Sequence, residues 1–214
     1  IYNQGAHYSV LRNKKAHLTF NERLSIAQCL ITGLANMHKN GFVHRDLGAK
    51  NHFVHFENLG HHKRKVTAVI ADLGRARALT GLEGVSVQGN AFNFSPEGFF
   101  PAKLKEKDYC ASDVFALGCV FWNLYFDKLP DWSRPRFVKR KDWSMKKRYH
   151  AHLSLLKKTR KPYVTYLQKK KARHEKLSKK DTFLAIILKM TRPNPKLRGS
   201  AESMRKELLL LKAF

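Results

Sequence analysis

Acidic residues are scarce in this sequence: 16 Asp and Glu stand against 42 Lys and Arg, a formal net charge of +26. Such an imbalance calls for an acidic partner or an exposed cationic surface. Cysteine is scarcer still. Cys29, Cys110 and Cys119 show no metal-ligand spacing and fall in or beside apolar stretches. That excludes a disulfide framework and reads as small core residues in a reducing compartment. Long apolar runs are missing as well. The longest, at residues 116–121 and 183–188, fall far short of the roughly 20 residues that a membrane-spanning helix needs. There is no internal repeat, and only one lysine-rich stretch is of low complexity. What is present suffices for one domain with a sizeable core: 214 residues, 43% of them hydrophobic, which rules out a disordered tail or a stapled miniprotein.

The positive charge is concentrated. Residues 133–180 hold nineteen Lys or Arg against Asp142 and Glu175 only, a net +17, and the rest of the chain carries +9. The sequence therefore describes an ordinary body and a basic insertion. Within the insertion, Leu153, Leu155, Leu156, Tyr163, Tyr166 and Leu167 supply anchors for one or two surface helices interrupted at Pro162. Its surplus charge suits an acidic protein, an anionic membrane or RNA, none of which needs base-specific chemistry.

Elsewhere the hydrophobic period sets the elements. A long helix is expected over residues 21–38, where Leu24, Ile26, Ala27, Leu30, Ile31, Leu34, Ala35 and Met37 form one stripe, with Asn21 as its cap and Gly41 as its stop. A shorter helix is expected over residues 9–15, with Lys14, Lys15 and His17 facing solvent. Phe53, Val54 and Phe56, then residues 66–70, read as two short strands, turned at residues 57–60 and followed by a basic lip at residues 61–65. Residues 71–100 read as a long loop. Residues 113–125 are apolar almost all round, as in a helix buried mid-domain. A further core helix around residues 183–190 ends at Pro193 and Pro195, and Ser200 caps a last one, burying Met204, Leu208 and Leu211.

The polar residues that interrupt this pattern are His44, Arg45, Asp46, Asn51 and Asp72. Asp46 and Asn51 lie five apart in one loop, and Asp72 follows a strand, with Gly74 behind it. Two carboxylates and an amide on adjacent loops suit magnesium and phosphate: hard oxygens hold the cation, and one carboxylate remains to orient a hydroxyl. The other histidines, including His52, His55, His61 and His62, read as loop or surface residues. Trp122, Trp132 and Trp143 read as packing anchors rather than a stacking platform for bases.

Four segments in order carry a family resemblance. His44-Arg45-Asp46-Leu47-Gly48-Ala49-Lys50-Asn51, Ala71-Asp72-Leu73-Gly74, Ser95-Pro96-Glu97 and Ser112-Asp113-Val114-Phe115-Ala116-Leu117-Gly118 resemble the catalytic loop, metal-binding motif, activation-segment end and central-helix start of eukaryotic-type protein kinases. Residues 194–200 resemble the arginine-bearing loop between the last helices. The implied fold is mainly α: the C-terminal lobe of a protein kinase, a helical bundle with a small β-hairpin carrying the catalytic and metal-binding loops.

The resemblance also implies roles. Asp46 accepts or orients the proton of the attacking hydroxyl, and Asn51 and Asp72 hold Mg2+ against ATP. Arg45 lies beneath the activation segment, where a phosphate or carboxylate anchors it. His44 and Leu73 pack the catalytic loop against the metal motif, and Phe53 forms the floor under the adenine. Asp113 accepts backbone hydrogen bonds from the catalytic loop, and Glu97 pairs with buried Arg198. A protein substrate follows.

Some positions depart from the family pattern. Gly48 stands where Ser/Thr-directed members carry Lys, and Lys50 stands where tyrosine-directed members carry Arg or Ala. Residues 89–97 align with the Ser/Thr pattern, but with Asn90 and Ala91 replacing Thr and Pro. The expected function is the catalytic lobe of an atypical ATP-dependent protein kinase, with Ser/Thr acceptors preferred. The alternatives are a pseudokinase or binding module acting through its basic region, and a sugar or lipid-headgroup kinase. The first residue is Ile1, residues 1–11 resemble an interlobe hinge, and no Gly-rich loop or strand Lys precedes them. The expectation is a lobe from a longer parent chain that supplies the N-terminal lobe, with targeting segments outside the sequence and a cytoplasmic or nuclear setting.

Overall fold

A computed structural model describes residues 18–60, 63–82, 93–133 and 142–211. The helix expected over residues 9–15, the His61 and His62 pair, and Asn90 and Ala91 lie outside the described residues.

The protein is mainly helical, as expected. The first long helix, α1 (Phe20–Lys39), starts two residues earlier than the Asn21 cap implies, because Thr19 is the cap. Its hydroxyl accepts from the Glu22 N–H at 3.3 Å, while the Glu22 carboxylate accepts from the Thr19 N–H at 2.7 Å. This reciprocal box satisfies two donors that a helix start otherwise leaves unpaired. Glu22 also pairs with Arg64. Burial opposes the charge on Glu22, but Arg64 and Thr19 outweigh it and lower its pKa.

Two small antiparallel pairs follow. Strands β1 (Phe42–Val43) and β4 (Arg77–Ala78) pair Phe42 with Ala78 and Val43 with Arg77. Strands β2 (His52–Gly60) and β3 (Lys63–Ile70) form a hairpin in which His52 faces Ile70 and Val54 faces Ala68. The strands run longer than the apolar residues alone suggested. Residues 57–60 continue β2 instead of turning, and residues 63–65 belong to β3. Val54, Phe56, Val66 and Ala68 point inward, as the two-residue period requires. His52 shares that face and is fully buried, so it is not a surface residue.

Helix α2 (Glu106–Phe126) runs through the middle of the core. Val114, Phe115, Leu117, Cys119, Phe121 and Leu124 are all sealed from solvent, the expected result for a helix apolar on every side. It reaches well beyond the expected residues 113–125 at its start, where Lys105 and Asp108 cap it.

The basic stretch is not divided at Pro162. Among its described residues one helix, α3 (Met145–Ala172), continues past the proline. Lys158, whose carbonyl loses its helical donor to the ring, and Pro162 are both exposed on the same face, where water can satisfy the carbonyl. Leu156 and His152, one turn apart, are buried on the opposite side, and Leu153, Leu155, Tyr163, Val164 and Leu167 pack beside the core. His152 was expected at the surface. Burial pushes its pKa down to about 4, so it is a neutral core residue.

Helix α4 (Lys179–Met190) is capped by Ser178 and Asp181. The Asp181 carboxylate also accepts from Tyr166 and Lys170 of α3, each at 2.9 Å. Burial would raise its pKa, but Lys170, Ser178 and Tyr166 together hold it far below the usual carboxylate range. This clamp fixes the end of the basic helix to the core. The last helix, α5 (Ala201–Leu209), is capped by Ser200 and buries Met204 and Leu208 as expected. Trp122 and Trp132 are buried in T-shaped contact at 4.9 Å, so both are packing anchors. No described helix is long and apolar enough to cross a membrane.

Candidate active site

Residues 44–51 leave β1 and enter β2, so both ends of this loop are held by strands. Its start is hung from the central helix. Asp113, 2% exposed, accepts the N–H of His44 at 2.7 Å and of Arg45 at 2.9 Å. These two bonds hold Arg45 at φ 68°, a left-handed conformation that costs a non-glycine residue about 1–3 kcal/mol and persists where the surroundings enforce it. His44 continues the frame. Its Nδ1 accepts from the Asp46 N–H at 3.3 Å, so Nε2 carries the proton and donates to the Ala71 carbonyl at 3.0 Å.

The end of the loop meets the second motif through the sheet. Asn51 donates through Nδ2 to the Asp46 carbonyl at 2.8 Å, and the Ala71 N–H donates to the Asn51 carbonyl at 2.9 Å. The hairpin register, His52 opposite Ile70, forces this last contact. Asn51 and Asp72 thereby flank the mouth of one hairpin although twenty-one residues separate them in sequence. Asp72 adopts φ 60° and is exposed. A Cβ at Gly74 would lie 3.3 Å from the Asp72 Oδ1, so glycine keeps the space beside that carboxylate open. Asp46 is 17% exposed, with Arg75 Nε 3.6 Å from its Oδ2.

The other site residues are placed as follows. Phe53, 38% exposed, lies on the outward face of β2, next to Asn51. Arg45 is buried; burial and then the nearby charge of Arg77 lower its pKa. Glu97 and Arg198 form the expected pair, at 2.5 and 2.7 Å. Leu73 requires a correction: it is 57% exposed, because the turn at Leu73–Arg75 carries it outward, and His44 alone supplies the packing.

The structure adds two residues that the motifs did not mark, and one bond between two that they did. His38, in the last turn of α1, lies 3.1 Å from Asp113. Burial works against its charge, but hydrogen bonds to Asp113 and Cys110 prevail and push its pKa up to about 9. The sequence signal was a polar side chain one turn after buried Leu34. Asn93 is buried and donates to the Leu47 carbonyl at 2.9 Å, tying the segment before Ser95 to the loop. Ser95 and Ser112 share a buried hydrogen bond at 2.7 Å.

The donor set is hard oxygen: the carboxylates of Asp46 and Asp72 and, since Asn51 Nδ2 is spent on the Asp46 carbonyl, the Asn51 Oδ1. Such a set fits Mg2+. Among the described residues no cluster of three or more His, Cys, Asp and Glu side chains forms a metal centre.

The family model for the protein kinase domain matches residues 1–210. The chain belongs to the protein kinase family. It is similar to proteins named dual serine/threonine and tyrosine protein kinase: it is 31% identical over 118 residues to that of Takifugu rubripes, covering 55% of this chain and 11% of the relative. The human protein of that name is 32% identical over 116 residues, 54% of this chain and 11% of the relative. The zebrafish one, from Danio rerio, is 31% identical over 118 residues, 55% of this chain and 12% of the relative. The chain therefore matches about a tenth of each relative's length. Within this frame Asp113 anchors the loop that carries Asp46 and Asn51, and the Glu97–Arg198 pair ties the turn at Pro96–Phe99 to the segment between α4 and α5.

Proposed function

We propose that this chain is the catalytic lobe of an ATP-dependent protein kinase that transfers the γ-phosphoryl group of Mg-ATP to a protein hydroxyl. The observation that carries this is the backbone bond from Ala71 to Asn51, which sets Asn51 beside Asp72 while Asn51 is itself bonded to Asp46. Asn51 and Asp72 would hold Mg2+, and the exposed ring of Phe53 would carry the adenine. Bound Mg-ATP supplies the phosphoryl group and neutralises charge on it. Asp46 orients the acceptor hydroxyl and takes its proton, and Arg75 lies 3.6 Å from its carboxylate. Arg45, with Arg75 and Arg77 close by, would receive a phosphate or carboxylate from the activation segment.

Ser and Thr are the first acceptors to assay. The names of the relatives add tyrosine as the second acceptor. The Glu97–Arg198 pair supports a protein substrate over a sugar or lipid headgroup. Exposed Phe53 and Leu73 support a cover over the nucleotide face, which we assign to a smaller N-terminal lobe of the same parent chain. The three free cysteines support a reducing setting, cytoplasmic or nuclear.

The test is nucleotide binding by the full parent protein. Titrating ATP with and without magnesium should show binding that depends on the metal, and Asp72→Asn should remove the metal dependence. Equal metal-dependent binding by the variant would contradict the assignment.

A further inference from the structure

A groove of about 890 Å3 lies between the C-terminal half of α3, α4 and the turn at residues 191–197. Its floor is aliphatic. Val164 and Leu167 come from α3, Leu188 from α4, and Leu177 and Leu197 from the connecting segments. Leu177 and Leu197 remain 37% and 55% exposed. The chain reverses after α3 at His174, which adopts φ 54°, and this brings Leu177 back over the groove.

The edge of the groove is cationic. Arg160, Lys171 and Arg192 line it, and none has a carboxylate partner among the described residues; Lys189 is already paired with Glu207. Arg160 donates to the Leu188 carbonyl at 2.6 Å, while its buried Nε has no hydrogen-bond partner. Burial and the charges of Arg192 and Arg198 push its pKa down to about 10. A guanidinium among cations with an unused buried donor is a place for a carboxylate.

We propose that this groove is a docking site for an acidic segment of a partner protein, whose aliphatic side chains sit on Leu167, Leu188 and Leu197 and whose carboxylates reach Arg160, Lys171 and Arg192. Charge complementarity selects the occupant. Fifteen of the chain's sixteen acidic residues are among the described ones, and Glu175, the one that lines the groove, lies 3.7 Å from Arg173 at its side. RNA suits the rim but not the floor, where the lining residues include no Phe, Tyr or Trp to stack a base. A bilayer is flat or convex at this scale and leaves a concave aliphatic floor unfilled. The groove shares no residue with the loop at 44–51, so this docking does not depend on phosphoryl transfer.

The experiment uses the full parent protein and a short fluorescent peptide of alternating Glu and Leu, with an equally charged Glu and Ser peptide, a single-stranded RNA and phosphatidylserine vesicles as the other probes. The Glu-Leu peptide should bind about tenfold more tightly than the Glu-Ser peptide, the effect of burying one or two leucines. Lys171→Gln with Arg192→Gln, and separately Leu177→Ser with Leu197→Ser, should each weaken it about tenfold. None of the four side chains is in the core, so both double variants should stay folded, with the circular dichroism spectrum of wild type. Equal binding of both peptides, binding indifferent to the substitutions, or binding of RNA or vesicles alone would overturn the proposal.

Discussion

Arg198 holds Glu97 through both of its terminal nitrogens, and the same guanidinium donates to the carbonyls of Arg192, Ala111 and Pro193. All five of its N–H groups are therefore used, and Phe115 lies against its face, 4.7 Å from the ring centroid. The carboxylate comes from the turn at Pro96–Phe99 and the guanidinium from the segment between α4 and α5. This pair ties the two together.

Removing one side of this pair leaves the other buried and uncompensated. Glu97→Ala should cost about 3–5 kcal/mol in urea unfolding. Arg198→Lys should also destabilise, since three donors replace a planar fork of five. A loss below about 1 kcal/mol for Glu97→Ala would place the pair among surface bridges.

Gly118 inverts the usual helix rule. An alanine inside a helix normally gains about 1 kcal/mol over glycine. Here a Cβ would lie 2.9 Å from both Met190 Cβ and Thr191 Cγ2, so α2 and α4 would have to separate. Gly118→Ala should destabilise by about 1–3 kcal/mol. A rise in melting temperature would show that the contact relaxes freely.

His38 gives the lobe a dependence on pH. Its folded pKa, about 9, is raised from 6.5, so its stabilisation is complete below about pH 6.5 and is lost as pH rises through about 9. The loss is on the order of 3 kcal/mol. Unfolding free energies of wild type and His38→Gln should converge between those limits. Parallel curves would contradict the assignment.

Pro162 interrupts the hydrogen-bond ladder of a helix that continues past it. Its exposure keeps the defect solvated, and replacing it restores a donor for the Lys158 carbonyl. Pro162→Ala should stabilise the protein by up to about 3 kcal/mol. An unchanged melting temperature would mean that α3 contributes little to global stability.

The outcomes at Asn21 and Pro162 show where the sequence was legible. Helices with a clear apolar stripe, and α2 with its apolar surround, were visible because burial writes a period into the chain. The start of α1 was misplaced by two residues although Thr19 and Glu22 carry the capping-box spacing, which is a polar signal and not an apolar one. Pro162 was read as a break because a sequence does not show which face a residue occupies. His52 and His152 look polar in sequence, yet the strand and helix phases place them inside. In the site, Asp113 and the Glu97–Arg198 pair were legible through their motifs. His38 and Asn93 were not, since each acts through hydrogen bonds to residues far away in sequence that no motif marks.

The central claim is that Asp46 orients the acceptor for phosphoryl transfer. The most direct measurement is transfer of radiolabelled phosphate by the full parent protein and its Asp46→Asn variant, with nucleotide binding followed in parallel. The variant should lose at least about a hundredfold in transfer and bind Mg-ATP as wild type does. Transfer at the wild-type rate by Asp46→Asn would contradict the account.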